Sequence, residues 1–295
     1  MTNEGKKIKV SVIIPVYNEE KPIAGVIDGL KEELGKIGGL EWEIIVVNDG
    51  SGDQSGEIIK NISKINLINH PYRKGYGACL KKGAWQARYE WLLFFDGDGQ
   101  HKPECLRDFF EYTKDYDIVI GARQGYQGPL WRQPGKRFLN LIASYLAERK
   151  IPDLNCGLRL VKKDYFLKYC HIFPDGFSLS STSTLAFLKK GLSVKFLPIK
   201  IDKRIGESTL KASDGFRVII LLVKLIMLFS PLKIFLPIAL IGMSASVIWM
   251  GYNLATTNFS LISKSGGFLF VASLLVLLFG LLADQVAAVR REMKE

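Results

Sequence analysis

The sequence predicts an α/β domain built on a mostly parallel sheet, followed by a membrane-spanning segment. In the first half, short β-branched runs alternate with helix-like stretches and end in polar, glycine-rich tips. This repetition is typical of a parallel sheet with helices on both faces. After about residue 215 the composition changes to long apolar runs with few charges. The chain therefore combines two parts that differ in the solvent they face.

The expected strands are the apolar runs in "KVSVIIPVYNEE", "WEIIVVNDGSGD", "WLLFFDGDGQ" and "YDIVIGAR". Residues 23–34 and 76–88, which lie between them, have the composition of helices. Ligands of such sheets bind at the carboxyl ends of the strands. We therefore expect the polar tips "YNEE", "NDGSGD", "DGDGQH" and "GAR" to converge on one site.

The charge and the cysteines limit the function classes. The chain has 295 residues and a formal net charge of +11, which suits an anionic partner such as nucleic acid, a phosphorylated substrate or a membrane surface. No zinc, helix-turn-helix or base-stacking motif supports a nucleic-acid binder. The four cysteines form no CxxC pair, so reduced and mostly buried thiols are expected.

Two apolar runs near the C-terminus predict a transmembrane hairpin. Residues 234–255 contain no charged residue, and a second span begins at residue 266 and extends to about residue 288, with Asp284 and Gln285 interrupting it. Basic residues flank the same side of this hairpin, namely Lys233, Arg290, Arg291 and Lys294. The connecting turn has only Lys264. The positive-inside rule then predicts a cytoplasmic catalytic domain and cytoplasmic termini.

The run "GFRVIILLVKLIMLF" before the hairpin is too short to span a bilayer. Its two charged residues, Arg217 and Lys224, fall on nearly the same face of a helix. This pattern predicts an interfacial helix, and a buried core helix is the alternative. The expected division is a catalytic domain (1–214), an amphipathic interfacial helix (215–231) and a transmembrane hairpin (232–295).

The stretch "FFDGDGQH" is the strongest candidate for a metal site. If its tip is extended, Asp96, Asp98 and Gln100 point the same way and offer three oxygen ligands. Oxygen ligands suit a hard cation, Mg²⁺ or Mn²⁺. Gly97 and Gly99 allow a tight turn and a close approach to a ligand. The alternative is an ordinary Asp-Gly turn in a hairpin.

The other tips add polar groups that are ambiguous one by one. Asp49 in "VVNDGSGD" is suited to a nucleobase edge or ribose hydroxyls, or to a cap or turn. Glu19 in "PVYNEE" is suited to the same site, or to a helix N-terminus. Lys74 in "RKGYGACLKKG" stands among glycines as in phosphate-cradling loops, or in a plain loop. Their common position at strand ends favours one shared site.

In this order, "PVYNEE", "VVNDGSGD", "RKGYGA" and "DGDGQH" resemble the nucleotide-sugar domain of family 2 glycosyltransferases, which has the GT-A fold. Further along, "GAR", "PDLNCGLRLVKK" and "KRIGESTLK" resemble the subgroup that acts on polyprenyl phosphates, such as dolichol-phosphate mannose synthase and bactoprenol glucosyltransferase. The resemblance covers roughly residues 8–235, and the paired spans extend it.

The resemblance implies a role for each motif. The residues implied for binding the nucleotide sugar are Pro15, Tyr17, Glu19, Asp49, Lys74, Asp96, Arg204 and Ser208. Those implied for the metal, Mg²⁺ or Mn²⁺, are Asp96, Asp98 and Gln100. Arg123 and Arg137 would hold the acceptor phosphate. Asp153, at the reacting centre, and Asp98 are the implied catalytic residues.

Some of these assignments have alternatives, and the chain departs from the subgroup at two positions. Arg204 is also readable as a surface charge, and Asp153 after Pro152 as a turn or cap. The subgroup usually has a bulky apolar residue in place of Gly99 and lysine in place of Thr209. The first departure could loosen the metal loop, and the second could remove a phosphate contact.

The implied function is inverting, metal-dependent transfer of a hexose from a UDP- or GDP-linked sugar to a polyprenyl phosphate at the cytoplasmic membrane face. A polysaccharide synthase acting on a sugar hydroxyl is the main alternative, but the chain lacks a Q-x-x-R-W box and two spans are few for a channel. A non-catalytic module that only binds a nucleotide sugar is a weaker alternative. The sugar, the nucleotide, the lipid length and the oligomeric state stay open, and a homo-oligomer is compatible with the sequence.

Overall fold

The computed structural model describes residues 7–124, 133–202, 220, 223–224, 226–256 and 264–292. The chain divides into two compact units, Met1–Phe216 and Arg217–Glu295. The predicted interfacial helix at 215–231 stays a prediction, because residues 215–219, 221–222 and 225 lie outside the described part.

A seven-stranded sheet forms the centre of the first unit, in the order β3-β2-β1-β4-β6-β5-β7. Its strands are β1 (Ile8–Val16), β2 (Leu40–Asn48), β3 (Asn66–Asn69), β4 (Trp91–Phe94), β5 (Ile118–Gln124), β6 (Arg159–Lys162) and β7 (Val194–Lys200). Six strands run in one direction, and β6 runs antiparallel to its neighbours β4 and β5. The predicted fold class, a mostly parallel sheet in an α/β domain, is confirmed.

Helices connect the strands in the described part of this unit. They are α1 (Ile23–Lys36), α2 (Ser55–Lys60), α3 (Tyr76–Gln86), α4 (Leu106–Glu111), α5 (Gln133–Ala147), α6 (Lys163–Tyr169) and α7 (Leu179–Lys189). The two predicted helices correspond to α1 and α3. Helix α3 ends two residues before the predicted end, because Ala87 has an extended backbone with ψ 137°.

The central strands are buried on both faces. Val10, Val12, Ile13 and Ile14 of β1 are fully buried, and all four residues of β4 are buried. Continuous apolar runs of this kind are expected where helices cover both faces of a parallel sheet. Of the polar tips, some residues are partly exposed, such as Tyr17, Asp98 and Gln100, and others are buried, such as Glu19 and Asp49.

Helix α3 lies unusually close to β1 because residue 83 is a glycine. A Cβ atom at Gly83 would lie 2.5 Å from Cγ2 of Ile13, which is fully buried. Ile13 is β-branched and its χ1 is stiff, so it has little room to yield. This contact holds the second half of α3 against β1.

The second unit contains two long apolar helices, α8 (Leu232–Thr256) and α9 (Lys264–Glu292). Their most apolar windows have mean hydropathies of 2.0 and 2.5, so both are long and apolar enough to cross a membrane. Glycines bring the helices together at three levels, at Phe235–Gly280, Gly242–Ser273 and Met250–Gly266. The residue numbers rise on one helix as they fall on the other, so the pair is an antiparallel hairpin, as predicted.

We predict that Gly83→Ala destabilises the protein, although alanine favours helix. Overpacking against Ile13 should lower the free energy of unfolding by about 1–3 kcal/mol, or roughly 3–10 °C in Tm. The measurement is thermal unfolding of the full chain in detergent. Gly25→Ala is the matched control, because a Cβ there meets nothing within 4 Å on an exposed face of α1. It should keep or slightly raise Tm, and a Gly83→Ala variant as stable as this control would contradict the packing argument.

Candidate active site

The carboxyl ends of β1, β2, β4 and β5 meet the amino end of β6 at one edge of the sheet. The antiparallel register sets Arg159, the first residue of β6, opposite both Phe94 of β4 and Ile120 of β5. The Asp49 N–H donates to the carbonyl of Val16 at 2.8 Å, which ties the ends of β1 and β2 together. This arrangement of strand ends determines the position of most of the predicted site residues.

The tip after β1 is fixed to the tip after β2. The Glu19 N–H donates to Oγ of Ser55 at 2.8 Å, and the Gly52 N–H donates to Oδ1 of Asn18 at 2.9 Å. Asn18 has a left-handed backbone with φ 55°, which turns the chain sharply. The Tyr17 ring lies under the Arg73 guanidinium, 4.1 Å from it. The predicted residues Tyr17 and Glu19 thus lie on a tip that contacts the segment after β2 and the loop before α3.

Asp49 organises the loop that carries Lys74. Its Oδ1 accepts the Lys74 N–H at 2.8 Å and contacts Nδ1 of His70 at 2.9 Å, and its Oδ2 accepts the Gly75 N–H at 2.8 Å. Burial opposes ionisation of Asp49, but these hydrogen bonds outweigh it and hold the pKa below its usual value. The structure brings Asp49 and Lys74 together through the lysine main chain.

Asp49, His70 and Cys79 form a buried cluster whose ligand atoms lie within 4.8 Å of one another. The 2.9 Å between Asp49 Oδ1 and His70 Nδ1 is a hydrogen-bond distance. Burial raises the pKa of the Cys79 thiol far above its usual value. We interpret the cluster as a hydrogen-bonded anchor for the loop and α3.

Asp96 lies where three segments meet. Its Oδ1 accepts the Tyr76 hydroxyl at 3.0 Å, and its Oδ2 lies 3.6 Å from Nε2 of His101. A Cβ atom at Gly157 would lie 2.1 Å from the same oxygen, so only glycine fits there. Burial opposes ionisation, but His101, Tyr76 and the charge of Arg123 together lower the pKa of Asp96.

The tip "DGDGQH" is a turn, so the predicted extended geometry is wrong. Residues 97–99 form a turn and a bend, and Gly99 has a left-handed φ of 72°. Asp98 Oδ1 accepts the Gln100 N–H at 3.1 Å, which closes the turn. Alternation along a strand therefore does not orient Asp96, Asp98 and Gln100. The left-handed residue also gives a physical reason for glycine at position 99.

The three predicted metal ligands fit a hard cation by their chemistry. Asp96, Asp98 and Gln100 are partly exposed, lie within one turn of chain and offer carboxylate and amide oxygens. The backbone of Gln100 is held by Asp202, whose N–H donates to the Gln100 carbonyl at 3.0 Å. The metal assignment remains a prediction.

Arg123 and Asp153 form a bidentate ion pair. Arg123 Nε donates to Asp153 Oδ2 at 2.6 Å and Nη2 donates to Oδ1 at 2.9 Å, while the Asn155 N–H also donates to Oδ1 at 3.1 Å. Burial opposes ionisation of Asp153, but Arg123 outweighs it and lowers the pKa of the carboxyl. The predicted acceptor arginine is thus bonded to the predicted reacting-centre carboxylate, which is a weak base.

The remaining predicted residues are distributed less tightly. Pro15 lies in β1, and its carbonyl packs against Gly97. Arg137 is exposed on α5, and Asn140, one turn further on, donates to the Pro152 carbonyl at 3.3 Å. No contact joins Arg137 to Asp153 among the residues that the structure describes. Arg204 and Ser208 lie outside the described residues.

Sequence reasoning missed four residues at this edge, namely His70, Tyr76, His101 and Arg159. Tyr76 and His101 lie inside the motifs "RKGYGA" and "DGDGQH", so their position was a usable signal. His70 directly follows β3, a four-residue strand that the composition does not reveal. Arg159 begins β6, another unpredicted strand of four residues. The thiols were predicted as mostly buried, and Cys79 and Cys156 are buried while Cys105 and Cys170 are partly exposed.

The fold has counterparts among solved structures. Glucosyl-3-phosphoglycerate synthase from Mycobacterium tuberculosis, in complex with phosphoglyceric acid, superimposes with a TM-score of 0.60 at 16% identity, covering 74% of this chain and 79% of that one. Another structure of that enzyme contains Mn²⁺, UDP and glucosyl-3-phosphoglycerate. At this identity the likeness shows the fold alone, and it agrees with the predicted GT-A class.

Relatives in sequence are found over about half of the chain or more. An uncharacterized protein of Methanocaldococcus jannaschii is 31% identical over 199 residues, covering 62% of this chain and 83% of that protein. Dolichyl-phosphate beta-glucosyltransferase ALG5C of Trichomonas vaginalis is 30% identical, over 54% of this chain and 53% of its own length. Undecaprenyl-phosphate 4-deoxy-4-formamido-L-arabinose transferase of Pectobacterium atrosepticum is 32% identical, over 52% and 49%. The match thus spans about half the length of the two named transferases.

Residues 11–170, more than half of the chain, match Glycosyl transferase family 2. Residues 230–289 match the GtrB C-terminal hairpin. The chain therefore belongs to glycosyl transferase family 2, and it is a glycosyltransferase that carries this hairpin.

We predict that Asp153→Asn destabilises the protein by a pH-dependent amount. Breaking this partly buried ion pair should cost about 1–3 kcal/mol, because the Arg123 charge is left without its partner. The pKa of Asp153 is lowered by folding, so its stabilisation is present above the unfolded pKa of about 3.9 and is lost as pH falls through the folded value.

The measurement is Tm of wild type and variant in detergent from pH 3 to 8. The difference should be constant from pH 5 to 8 and shrink below about pH 4. Asp28→Asn is the control, because the Asp28 side chain is 73% exposed and its ion pair with Lys31 is long, at 4.0 Å between Oδ1 and Nζ. This variant should change the free energy of unfolding by less than about 0.5 kcal/mol. A difference that already shrinks between pH 7 and pH 5 would contradict the low pKa.

Proposed function

We propose that the protein transfers a hexose from a UDP- or GDP-linked sugar to a polyprenyl phosphate, with inversion at the anomeric carbon. One observation carries this proposal. The family 2 domain and the GtrB hairpin occur in one chain, and relatives named as dolichyl-phosphate and undecaprenyl-phosphate transferases match it at 30–32% identity. The chemistry of the site and the surface of helix α5 support it.

The donor side is supported by the contacts between the first two strand tips. Pro15, Tyr17, Glu19 and Asp49 would hold the base and ribose, and Lys74 would contact the phosphates. The interlocked tips, with Glu19 N–H on Ser55 and Asp49 on the Lys74 loop, keep these groups in a fixed arrangement. Arg204 and Ser208 would contact the donor diphosphate.

A divalent cation, Mg²⁺ or Mn²⁺, would be held by Asp98 and Gln100 with Asp96 in support. When bound, it would neutralise charge on the departing nucleoside diphosphate. The oxygen-only donor set of the turn supports this assignment, and the Mn²⁺ in the Mycobacterium tuberculosis synthase gives a precedent in the same fold.

The acceptor side is supported by the Arg123–Asp153 pair. A carboxylate with a lowered pKa is a poor proton acceptor, so Asp153 is suited to orienting groups and less to general-base catalysis. A phosphate monoester has a second pKa of about 6 and arrives largely ionised. Its oxygen would attack the anomeric carbon as the bond to the diphosphate breaks, and the nucleoside diphosphate would leave with the electron pair.

Helix α5, which contacts the Pro152 carbonyl through Asn140, adds a surface that suits contact with lipid. Phe138, Leu141 and Tyr145 are exposed at 55, 66 and 53% and share one face of the helix, with Arg137 next to them. An apolar stripe with a flanking cation suits the boundary of a bilayer. This supports a lipid-linked acceptor, with Arg123 and Arg137 proposed to hold its phosphate.

We further propose that the hairpin spans the membrane with the catalytic domain and both termini in the cytoplasm. In the antiparallel hairpin, Lys233 and Arg290 lie toward one end and Lys264 toward the other. The positive-inside rule puts the first end in the cytoplasm. An impermeant thiol reagent applied to intact cells should label Lys264→Cys and leave Arg290→Cys unlabelled, and the reverse pattern would overturn the orientation.

The experiment that tests the function uses purified full-length protein, a panel of UDP- and GDP-sugars, and three acceptors: a polyprenyl phosphate, the matching polyprenol and a soluble oligosaccharide. Mass measurement should find one hexose added to the polyprenyl phosphate alone. Transfer to the oligosaccharide would favour the polysaccharide synthase alternative. Absence of transfer with every donor would overturn the proposal.

We predict that turnover depends on a divalent cation. EDTA should abolish transfer and Mg²⁺ or Mn²⁺ should restore it. Asp98→Ala should lower kcat by at least a hundredfold, because it removes the anionic ligand that neutralises the leaving group through the cation. Asp108→Ala is the control, since Asp108 is an exposed acid on α4. Full activity of wild type in EDTA would exclude metal dependence.

We predict that Arg137→Ala raises the KM for polyprenyl phosphate about thirtyfold, since a charge-assisted contact to phosphate is worth on the order of 2 kcal/mol. Donor affinity, measured by calorimetric titration, should stay near that of wild type. Arg107→Ala is the control, because Arg107 is exposed on α4. If donor affinity falls as far as acceptor affinity, Arg137 belongs to the diphosphate site instead.

A further inference from the structure

Arg159 is a buried cation that the proposed reaction does not use. It is 1% exposed, the largest of the fully buried side chains in the described part of the chain. It begins β6, between the ends of β4 and β5. Burying a guanidinium is costly unless its donors are satisfied, so its surroundings must be built for it.

The guanidinium joins a loop to a helix. Nε and Nη2 both donate to the carbonyl of Cys156, at 3.2 and 2.6 Å. On the other side, Nη1 donates to the carbonyl of Ser180 at 3.1 Å and to Oγ of Ser183 at 2.8 Å. The planar fork of arginine is needed to reach both partners at once, and lysine has only a single charged nitrogen.

The loop held in this way, residues 153–157, carries Asp153 and also contacts the carboxylate of Asp96. At one end, the Asn155 N–H donates to Oδ1 of Asp153, and Asn155 also accepts the hydroxyl of Ser181 on α7. At the other end, Gly157 packs directly against the carboxylate of Asp96. A shift of this loop would therefore move Asp153 and displace the contact with Asp96 together.

The charge of Arg159 also acts on these groups. Burial lowers the pKa of the Arg159 guanidinium, and the charges of Asp153 and Asp96 partly oppose this effect, while its direct hydrogen bonds among the described residues go to neutral oxygens. Arg123 and Arg159 are two arginines whose charges act near these carboxylates. Removal of Arg159 would take one positive charge away from the region where an anionic acceptor and a diphosphate are proposed to meet.

We propose that Arg159 is a positioning residue for glycosyl transfer, which fixes residues 153–157 against α7 so that Asp96 and Asp153 keep their places. This rests on the proposed function in assuming that the polyprenyl phosphate assay reports turnover. A failure of that function would leave wild type inactive, whereas a failure of this inference would leave the Arg159 variants active.

The test compares Arg159→Lys, Arg159→Met and Ser183→Ala in the full-length protein. Ser183→Ala removes one acceptor of the guanidinium and should lower kcat about tenfold, with the KM for the nucleotide sugar changed less than threefold. Arg159→Lys should lower kcat at least thirtyfold at a temperature well below its Tm. Arg159→Met, which also loses the charge, should be slower than Arg159→Lys.

Thr182→Ala is the matched control, because Thr182 is a buried residue of the same helix whose side chain does not bond Arg159. A purely structural role would lower Tm and leave kcat at low temperature unchanged. If the Arg159 variants do not fold, the comparison of kcat between Ser183→Ala and Thr182→Ala tests the proposal. The proposal is overturned by an Arg159→Lys enzyme within threefold of wild-type kcat, or by equal losses in the two α7 variants.

Discussion

The site depends on the contacts that the carboxylate of Asp96 makes with three segments of the chain. Its Oδ1 accepts the Tyr76 hydroxyl from the start of α3, its Oδ2 faces His101 from the loop after β4, and Gly157 packs against it. A carboxylate that is largely removed from water needs donors in place of the water. The two donors and the glycine come from three separate segments, so this arrangement forms only when all three have packed. The same constraint requires glycine at position 157, where a side chain would overlap the carboxylate.

The reversed strand β6 explains why the loop before it reaches the site. In a purely parallel sheet, the amino end of each strand lies at the edge opposite the carboxyl ends. Because β6 runs antiparallel between β4 and β5, its amino end lies beside their carboxyl ends. Residues 153–157 are thereby delivered to the edge that holds Asp49, Asp96 and Arg123. One change of direction in the sheet supplies Asp153 and Arg159 to the site.

The sequence predicted the features that depend on local pattern. The β-branched runs became β1, β2, β4 and β5, the helix-like stretches became α1 and α3, and the uncharged runs became α8 and α9. Features that depend on distant contacts were not visible. The direction of β6 is set by its neighbours, the Arg123–Asp153 pair joins residues thirty positions apart, and the left-handed Gly99 turned an expected extended tip into a turn. Very short strands such as β3 also lack a pattern long enough to detect.

Three carboxylates at this edge, those of Asp49, Asp96 and Asp153, share a property that bears on the acceptor. Asp49 is occupied by two backbone N–H groups and His70, Asp96 by Tyr76 and His101, and Asp153 by Arg123 and Asn155. In each case the donors stabilise the ionised form and lower the pKa. Such groups orient charge and are weak proton acceptors near neutral pH. A sugar hydroxyl must lose its proton on attack, whereas a phosphate oxygen is already ionised. The low basicity of these three carboxylates therefore suits an acceptor that needs no deprotonation on attack.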